Sequence, residues 1–366
     1  MCNTWTCPLL QGNDAPVPRG AEVSGPPARA TGRGPSVLAS GSPSRPSMTE
    51  STPDIRYAVG AVTAEQAGVR FAGALAPSLA SRRRSGPVAE WLVAVVAERD
   101  GELLGVALGQ VRPGTDVGEV LCLSVGEGAR RQGVGSGLLR GLERALAGAG
   151  CPAVQGSYRS DWQGAEVTAR LLASAGWGAP VVQKHLYKVY MPALDTHLQI
   201  RVPALPEGYS VDGWDTLSDA DRAAVEAIVA RDPAARPVDP FQRADLVSHE
   251  SSVWVRHAGE VVGWVALLQP SPTVMEYSGL YVVRAHRPSR AGVAAIAASV
   301  RQHVAAIERH ERDGSEGGPP RFCVFAVEPW NSAMRVFARK WIHLPEATVT
   351  TVWLSGKRLA DVPPTA

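Results

Sequence analysis

Two parts of this chain repeat each other at the distance of a whole domain. Gly101-Glu102-Leu103-Leu104-Gly105 matches Gly259-Glu260-Val261-Val262-Gly263 at an offset of 158, and Glu119 and Gly135 match Glu276 and Gly292 at an offset of 157. The step of one between the two blocks is a single loop residue. A period this long describes two related domains in tandem and not a solenoid, whose repeats are about 20–50 residues. The chain has 366 residues, enough for two cores.

Each copy reads as a strand hairpin followed by a strand, a Gly-containing turn and a helix. In the first copy the pattern predicts strands over 91–97, 103–111 and 117–125. A helix follows over 135–149, with Leu138, Leu139, Leu142 and Leu146 on one face. Gly150 ends it and Pro152 prevents its continuation. A strand over 153–158, a helix over 162–175 and a strand over 185–191 complete the copy. Pro192, Pro203 and Pro206 then mark a connection. The second copy predicts strands over 209–214, 253–257, 261–268, 274–283, 322–327 and 348–354, and helices over 219–230, 291–309 and 331–340. Ser218 is placed to cap the first of these helices.

Residues 1–50 are rich in Pro, Ser, Gly, Arg and Ala, a composition that buries too little apolar surface to offset the entropy of ordering. A disordered tail is expected there, with Met48 as an alternative start. The formal net charge of +2 argues against nucleic acid as a main partner and gives no reason to expect an anionic membrane surface. No run of 18 apolar residues is present, so no membrane-spanning helix is expected. Five cysteines, Cys2, Cys7, Cys122, Cys151 and Cys323, suit a reduced, cytoplasmic protein. No H-E-x-x-H or C-x-x-C spacing and no G-x-S-x-G elbow occur, so neither a metal site nor a serine-hydrolase site is expected.

The chemistry concentrates in Arg130-Arg131-Gln132-Gly133-Val134-Gly135-Ser136, between the strand at 117–125 and the helix. Backbone N–H groups at a helix N-terminus, with the helix dipole, attract anions, and glycine permits the close approach a phosphate needs. Three phosphate-binding patterns compete. A P-loop needs Lys-Ser/Thr after its last glycine, where this chain has Leu138 and Leu139. A dinucleotide fingerprint needs a third glycine, where Leu138 stands, and a first strand before it, whereas this turn follows the third strand of a meander.

The third pattern fits. Arg130-x-x-Gly133-x-Gly135 after "LSV" resembles the acyl-CoA signature of the GNAT superfamily of N-acyltransferases. "ERDGELLGVALGQV" resembles that family's central hairpin, and "LLASAGW" the end of its later helix; the resemblance covers residues 55–191. It implies an α/β fold with a mixed sheet: two GNAT-like domains in tandem, each a mostly antiparallel central sheet flanked by helices. The expected division is a tail at 1–50, an active domain at 51–193, a linker at 194–206, a degenerate domain at 207–358 and a tail at 359–366.

The resemblance further implies that acetyl-CoA lies where the strand before the turn splays from its neighbour. Backbone groups of Leu123 and Val125 would pair with pantetheine and the acyl carbonyl. Arg130, Arg131, Gln132, Gly133, Val134, Gly135 and Ser136 would hold the pyrophosphate. An amine then attacks the thioester, with a base and an acid to move protons. Glu119, fourteen residues before Gly133, is the candidate base. The tyrosine the family often uses as acid is Leu172 here, and the usual asparagine is Ala165, so Tyr158 is the substitute acid. Glu127 reads as structural. The implied partners are an acyl-CoA and a primary amine, with a homodimer as one possible assembly and no metal. Another acyl donor, a natural-product or peptide acceptor, or a non-catalytic CoA-binding role are the alternatives.

In the second copy Arg287-Pro288-Ser289-Arg290-Ala291-Gly292 stands in place of the signature. Arg290 replaces the first glycine and Pro288 has no N–H to donate. Asn331 remains in that copy's later helix, and Ala338 takes the tyrosine position. Arg82–Arg84 reads as a solvated loop bordering the acceptor cleft.

Overall fold

The computed structural model describes residues 55–63, 66–67, 91–112, 115–202, 204–314, 318–342 and 344–359. The N-terminal tail, Met48 and Arg82–Arg84 lie outside them. The first half contributes β1 (Arg56–Thr63), β2 (Trp91–Arg99), β3 (Glu102–Val111), β4 (Val117–Val125), α1 (Val134–Gly148), β5 (Ala153–Arg159), α2 (Ala165–Ser174) and β6 (Val181–Tyr190). Then come α3 (Met191–Arg201), β7 (Tyr209–Gly213), α4 (Asp219–Arg231), β8 (Val253–His257), β9 (Glu260–Ser271) and β10 (Val274–Val282). The chain continues with α5 (Ala291–Asp313), β11 (Phe322–Val327), α6 (Ser332–Phe337) and β12 (Thr348–Arg358). The architecture is mixed α/β, as expected.

Among the described residues the strands form one sheet in the order β1-β2-β3-β4-β5-β12-β6-β11-β10-β9-β8-β7. The two halves therefore exchange their last strands. β12, from the end of the chain, lies between β5 and β6, with Trp353 opposite Tyr158 and Thr350 opposite Leu186. β6 in turn pairs with β11, Leu186 opposite Ala326. Lys357 of β12 anchors the exchange: its Nζ donates to Glu143 Oε2 at 2.7 Å and to the Ala175 carbonyl at 2.8 Å. Glu143, buried on α1, also accepts from Trp177 Nε1 at 2.7 Å.

The sequence repeat is a repeat of packing. Alternate residues of β2 serve two cores: Val95 and Ala97 pack with Leu138, Leu142 and Leu146 of α1, while Leu92, Ala94 and Val96 pack on the other face. In the second half Val253 and Val255 pack with Ile296 and Val300 of α5, and Trp254 packs on the opposite face with Trp214 and Trp264. The repeated Gly105 and Gly263 have a shared cause. A Cβ on Gly105 would stand 2.6 Å from the Ser124 carbonyl oxygen, and one on Gly263 2.5 Å from that of Tyr281. Only glycine lets β4 close on β3, and β10 on β9.

One expectation is corrected. The proline-marked connection begins with a helix, α3, whose Met191, Leu194 and Leu198 are buried in the second half's core. Pro192 sits in its first turn, where a missing N–H costs nothing. Two helices also start later or end otherwise than expected. α2 begins at Ala165, and the helix expected to 340 gives way after Phe337 to a π-turn over Ala338–Ile342. Ser218 caps α4 as expected, in a reciprocal box with Asp221.

Candidate active site

The site is built around a change of register in β4. Leu108 faces Cys122, but the next residue, Gly109, faces Val120, so Leu121 is bulged. Parallel pairing with β5 runs only from Val117–Ala153 to Val120–Gly156. Beyond that point the two strands part, leaving a gap.

Backbone polarity along the gap follows from the ladder. The Gly126 N–H donates to the Leu104 carbonyl at 2.9 Å. Alternation then turns Ser124 toward β3, and the N–H and C=O of Leu123 and Val125 away from it, into the gap. The Arg130 Nε, which donates to the Val125 carbonyl at 3.4 Å, approaches from that side.

The gap leads to the turn. Glu127–Ala129 form a short 3-10 turn, Arg130 is extended, and Arg131 and Gly133 are left-handed with φ of 62° and 83°. Gly133 is the N-cap of α1 and no side chain caps that helix end. Arg130, Arg131 and Gln132 are exposed and Val134 is buried. Gly135 is tucked under Leu123, Val125 and Leu171, yet a Cβ there would come no closer than 3.6 Å to any of them. Protein packing does not require glycine at this position.

Glu119 and Tyr158 project from opposite faces of the sheet. Cβ atoms on Gly109 and Gly118 would each stand 3.0 Å from a leucine of α1, so their neighbours Gln110 and Glu119 project to the other face. Both are buried, and Gln110 Nε2 donates to Glu119 Oε2 at 2.9 Å. Gln110 was not foreseen; its position across from Glu119 emerges only once the β3–β4 register is known. Tyr158 packs instead in the core beneath α1, and burial raises its phenol above the usual range. Leu172 is buried in the same core.

The second half keeps the strand geometry and changes the turn. β10 and β11 pair only at Met275–Cys323 and Glu276–Val324, and β10 is again bulged after Tyr277. A 3-10 helix over Arg284–Ser289 replaces the first half's turn, and Arg290 takes the left-handed N-cap with φ 64°. Pro288 stands where Arg131 is left-handed in the first half, and its ring holds φ negative. Ser289 Oγ accepts from the Ala291 N–H at 3.2 Å, so the first amide of α5 is taken by the protein itself. Arg287 Nε donates to the Val282 carbonyl at 2.9 Å, the counterpart of the Arg130–Val125 contact.

A parted strand pair opening on a glycine turn and an uncapped helix is the arrangement that the resemblance to the GNAT superfamily implied. Residues 74–158 match the acetyltransferase (GNAT) family. The segment that carries the candidate site is thus similar to the GNAT acetyltransferases. Its fold is similar to that of a tandem GNAT protein from the clavulanic acid biosynthesis pathway, at TM-score 0.57 and 18% identity over 85% of this chain and 100% of that one. It is also similar to a GCN5-related N-acetyltransferase from Sphaerobacter thermophilus, at TM-score 0.50 and 18% identity over 83% and 96% of the two chains. A glucosamine N-acetyltransferase region of a fungal multi-domain GH3 β-N-acetylglucosaminidase gives TM-score 0.55 at 10% identity, over 84% of this chain and 38% of that one. By sequence, no curated protein matches the chain.

Proposed function

We propose that the first half transfers an acetyl group from acetyl-CoA to the primary amine of a small molecule or peptide, by direct attack within a ternary complex. The observation that carries this reading is the parting of β4 from β5 at Val120, with Leu123 and Val125 turned into a gap that ends at the left-handed Gly133. In this reading the backbone of Leu123 and Val125 aligns the pantetheine arm and the acyl carbonyl. Arg130, Arg131, Gln132, Gly133, Val134, Gly135 and Ser136 hold the pyrophosphate. Gly135, which protein packing leaves room to replace, is glycine because the phosphate approaches there.

The amine nitrogen attacks the thioester carbon, the C–S bond breaks, and CoA leaves as a thiolate. Glu119, oriented by Gln110, takes the amine proton, and Tyr158 on the opposite face supplies one to the thiolate. The raised phenol keeps its proton at neutral pH. Donation to a thiolate, whose acid has a pKa of about 8.5, is uphill from such a phenol, so CoA can also leave as the thiolate and take its proton in bulk solvent. The second half, its cradle closed by Ser289 and Pro288, is a degenerate copy that supports the first. The sequence's cysteine content suits a reduced, cytoplasmic setting.

Calorimetry with acetyl-CoA tests the assignment. Wild-type protein should bind one equivalent, and Gly133→Glu, which puts a carboxylate in the cradle, should abolish binding. Unchanged affinity in the variant removes the pyrophosphate assignment. A panel of amines assayed for thiol release tests turnover; binding without release across the panel would favour a non-catalytic CoA-binding protein.

A further inference from the structure

Arg99 ends β2 immediately before the left-handed Asp100 and Gly101 of the hairpin turn. Its Nη2 donates to Gln132 Oε1 at 2.8 Å, and Gln132 Nε2 donates to the Gly128 carbonyl at 2.8 Å. A guanidinium has donors only, so it fixes which way the Gln132 amide is turned. The amide in turn ties Gln132 back to the start of the turn. Among the described residues no acceptor meets the enclosed Arg99 Nε. No property of the primary sequence singled out Arg99.

The second half supplies an internal comparison. At the repeat offset His257 occupies the place of Arg99, ahead of the left-handed Ala258 and Gly259. Its ring lies 5.0 Å from that of His286, in the loop before α5, and 4.5 Å from that of Tyr209. The hairpin end thus reaches the pre-helix loop in both halves. Where the loop keeps its glycine cradle, the contact is a permanent cation hydrogen-bonded to the turn. Where Pro288 and Arg290 have replaced the cradle, it is a cluster of rings.

We propose that Arg99 is a positioning residue for the phosphate turn: it holds Gln132 in place, and its fixed charge draws the diphosphate of an acyl-CoA to the turn. This rests on the acyl-CoA reading of the site. The guanidinium acts through Gln132, so Arg99 and Gln132 form one coupled unit.

The test is calorimetry of acetyl-CoA binding to the full chain at several salt concentrations, for wild type, Arg99→Ala, Arg99→Lys, Gln132→Ala and the Arg99→Ala/Gln132→Ala double variant. Loss of a charge-assisted hydrogen bond predicts affinity about tenfold weaker in Arg99→Ala. Affinity in that variant should also depend less on salt, because one cation has gone. The double variant should be much less affected than the two single losses combined. Arg99→Lys should recover the salt dependence but only part of the affinity. Melting temperatures should match the wild type, which separates positioning from unfolding. Wild-type binding with an unchanged Arg99→Ala affinity and salt dependence overturns the role of Arg99 alone. Absence of wild-type binding overturns the acyl-CoA reading, and this inference with it.

Discussion

Lys357→Ala tests how the two halves are held together. Lys357 comes from the last strand of the chain, and its partner Glu143 from the helix beside the candidate site, 214 residues away. The Glu143 side chain is 3% exposed and that of Lys357 23%. The substitution leaves a buried carboxylate that still accepts from Trp177 Nε1, 2.7 Å away. Removing one partner of a buried pair costs about 3–5 kcal/mol; water reaching the partly exposed lysine position discounts this to about 2–3 kcal/mol. One kcal/mol moves Tm by about 2–4 °C for 150–250 residues, so a fall of about 5 °C is expected in this longer chain. Thermal melts by circular dichroism measure it. The double variant Glu143→Gln/Lys357→Met removes the stranded charge while keeping an acceptor for Trp177, and should recover most of the loss. A fall of less than 1 °C in Lys357→Ala, or a double variant no more stable than the single, would refute the buried-pair argument.

His303 should make stability depend on pH. Burial lowers its pKa, and both ring nitrogens are engaged, Nδ1 with Ser251 Oγ and Nε2 with the Pro320 carbonyl, each at 2.8 Å. The folded state therefore favours the neutral ring, and the unfolded state, with a pKa of about 6.5, binds its proton first. The stabilisation is complete above about pH 6.5, declines as pH falls, and levels off below the folded pKa. Melts between pH 5 and 8 should lose that component in His303→Gln; an identical pH profile in the variant would assign the dependence elsewhere. Glu119→Gln should lower turnover by about 10²–10⁴-fold at neutral pH while leaving acetyl-CoA affinity unchanged, and an unaltered rate removes Glu119 as the base. A chain truncated after residue 343 should fail to give soluble, acetyl-CoA-binding protein, because it lacks β12.

Most strands were legible because their limits are local. Val117–Val125 is an apolar run stopped by glycine, and it forms a strand with those bounds. The repeat was legible because backbone contact at Gly105 and Gly263 admits no other residue. The exchange of β6 and β12 was not, since alternation within a strand says which face is buried and nothing about which strand lies beside it. α3 was obscured by Pro192, although Met191, Leu194 and Leu198 already carry helical spacing. At the site, the glycine turn was readable as a motif. The Gln110–Glu119 and Arg99–Gln132 contacts depend on register across strands, and so is the finding that Tyr158 and Glu119 face opposite ways.

The strand exchange bears on what the second half contributes to the proposed site. β5 forms one wall of the gap, and it pairs with β4 only through Ala153, Val154, Gln155 and Gly156. Its arm beyond Gly156, with Ser157, Tyr158 and Arg159, has lost that neighbour. β12 pairs with β5 from Ala153 through Arg159 and so supports the arm along its full length. A further tie comes from Thr350, whose Oγ1 donates to Asp161 Oδ2 at 3.2 Å, while Asp161 accepts from Arg159 Nε at 2.9 Å. The wall on which Tyr158 stands is thus held open by the end of the second half. The different turn at Arg287–Gly292 leaves that support intact, because β12 is held by the first half's own Glu143. Substitutions in the second half's turn should therefore leave the first site unchanged, and substitutions in β12 should reach it.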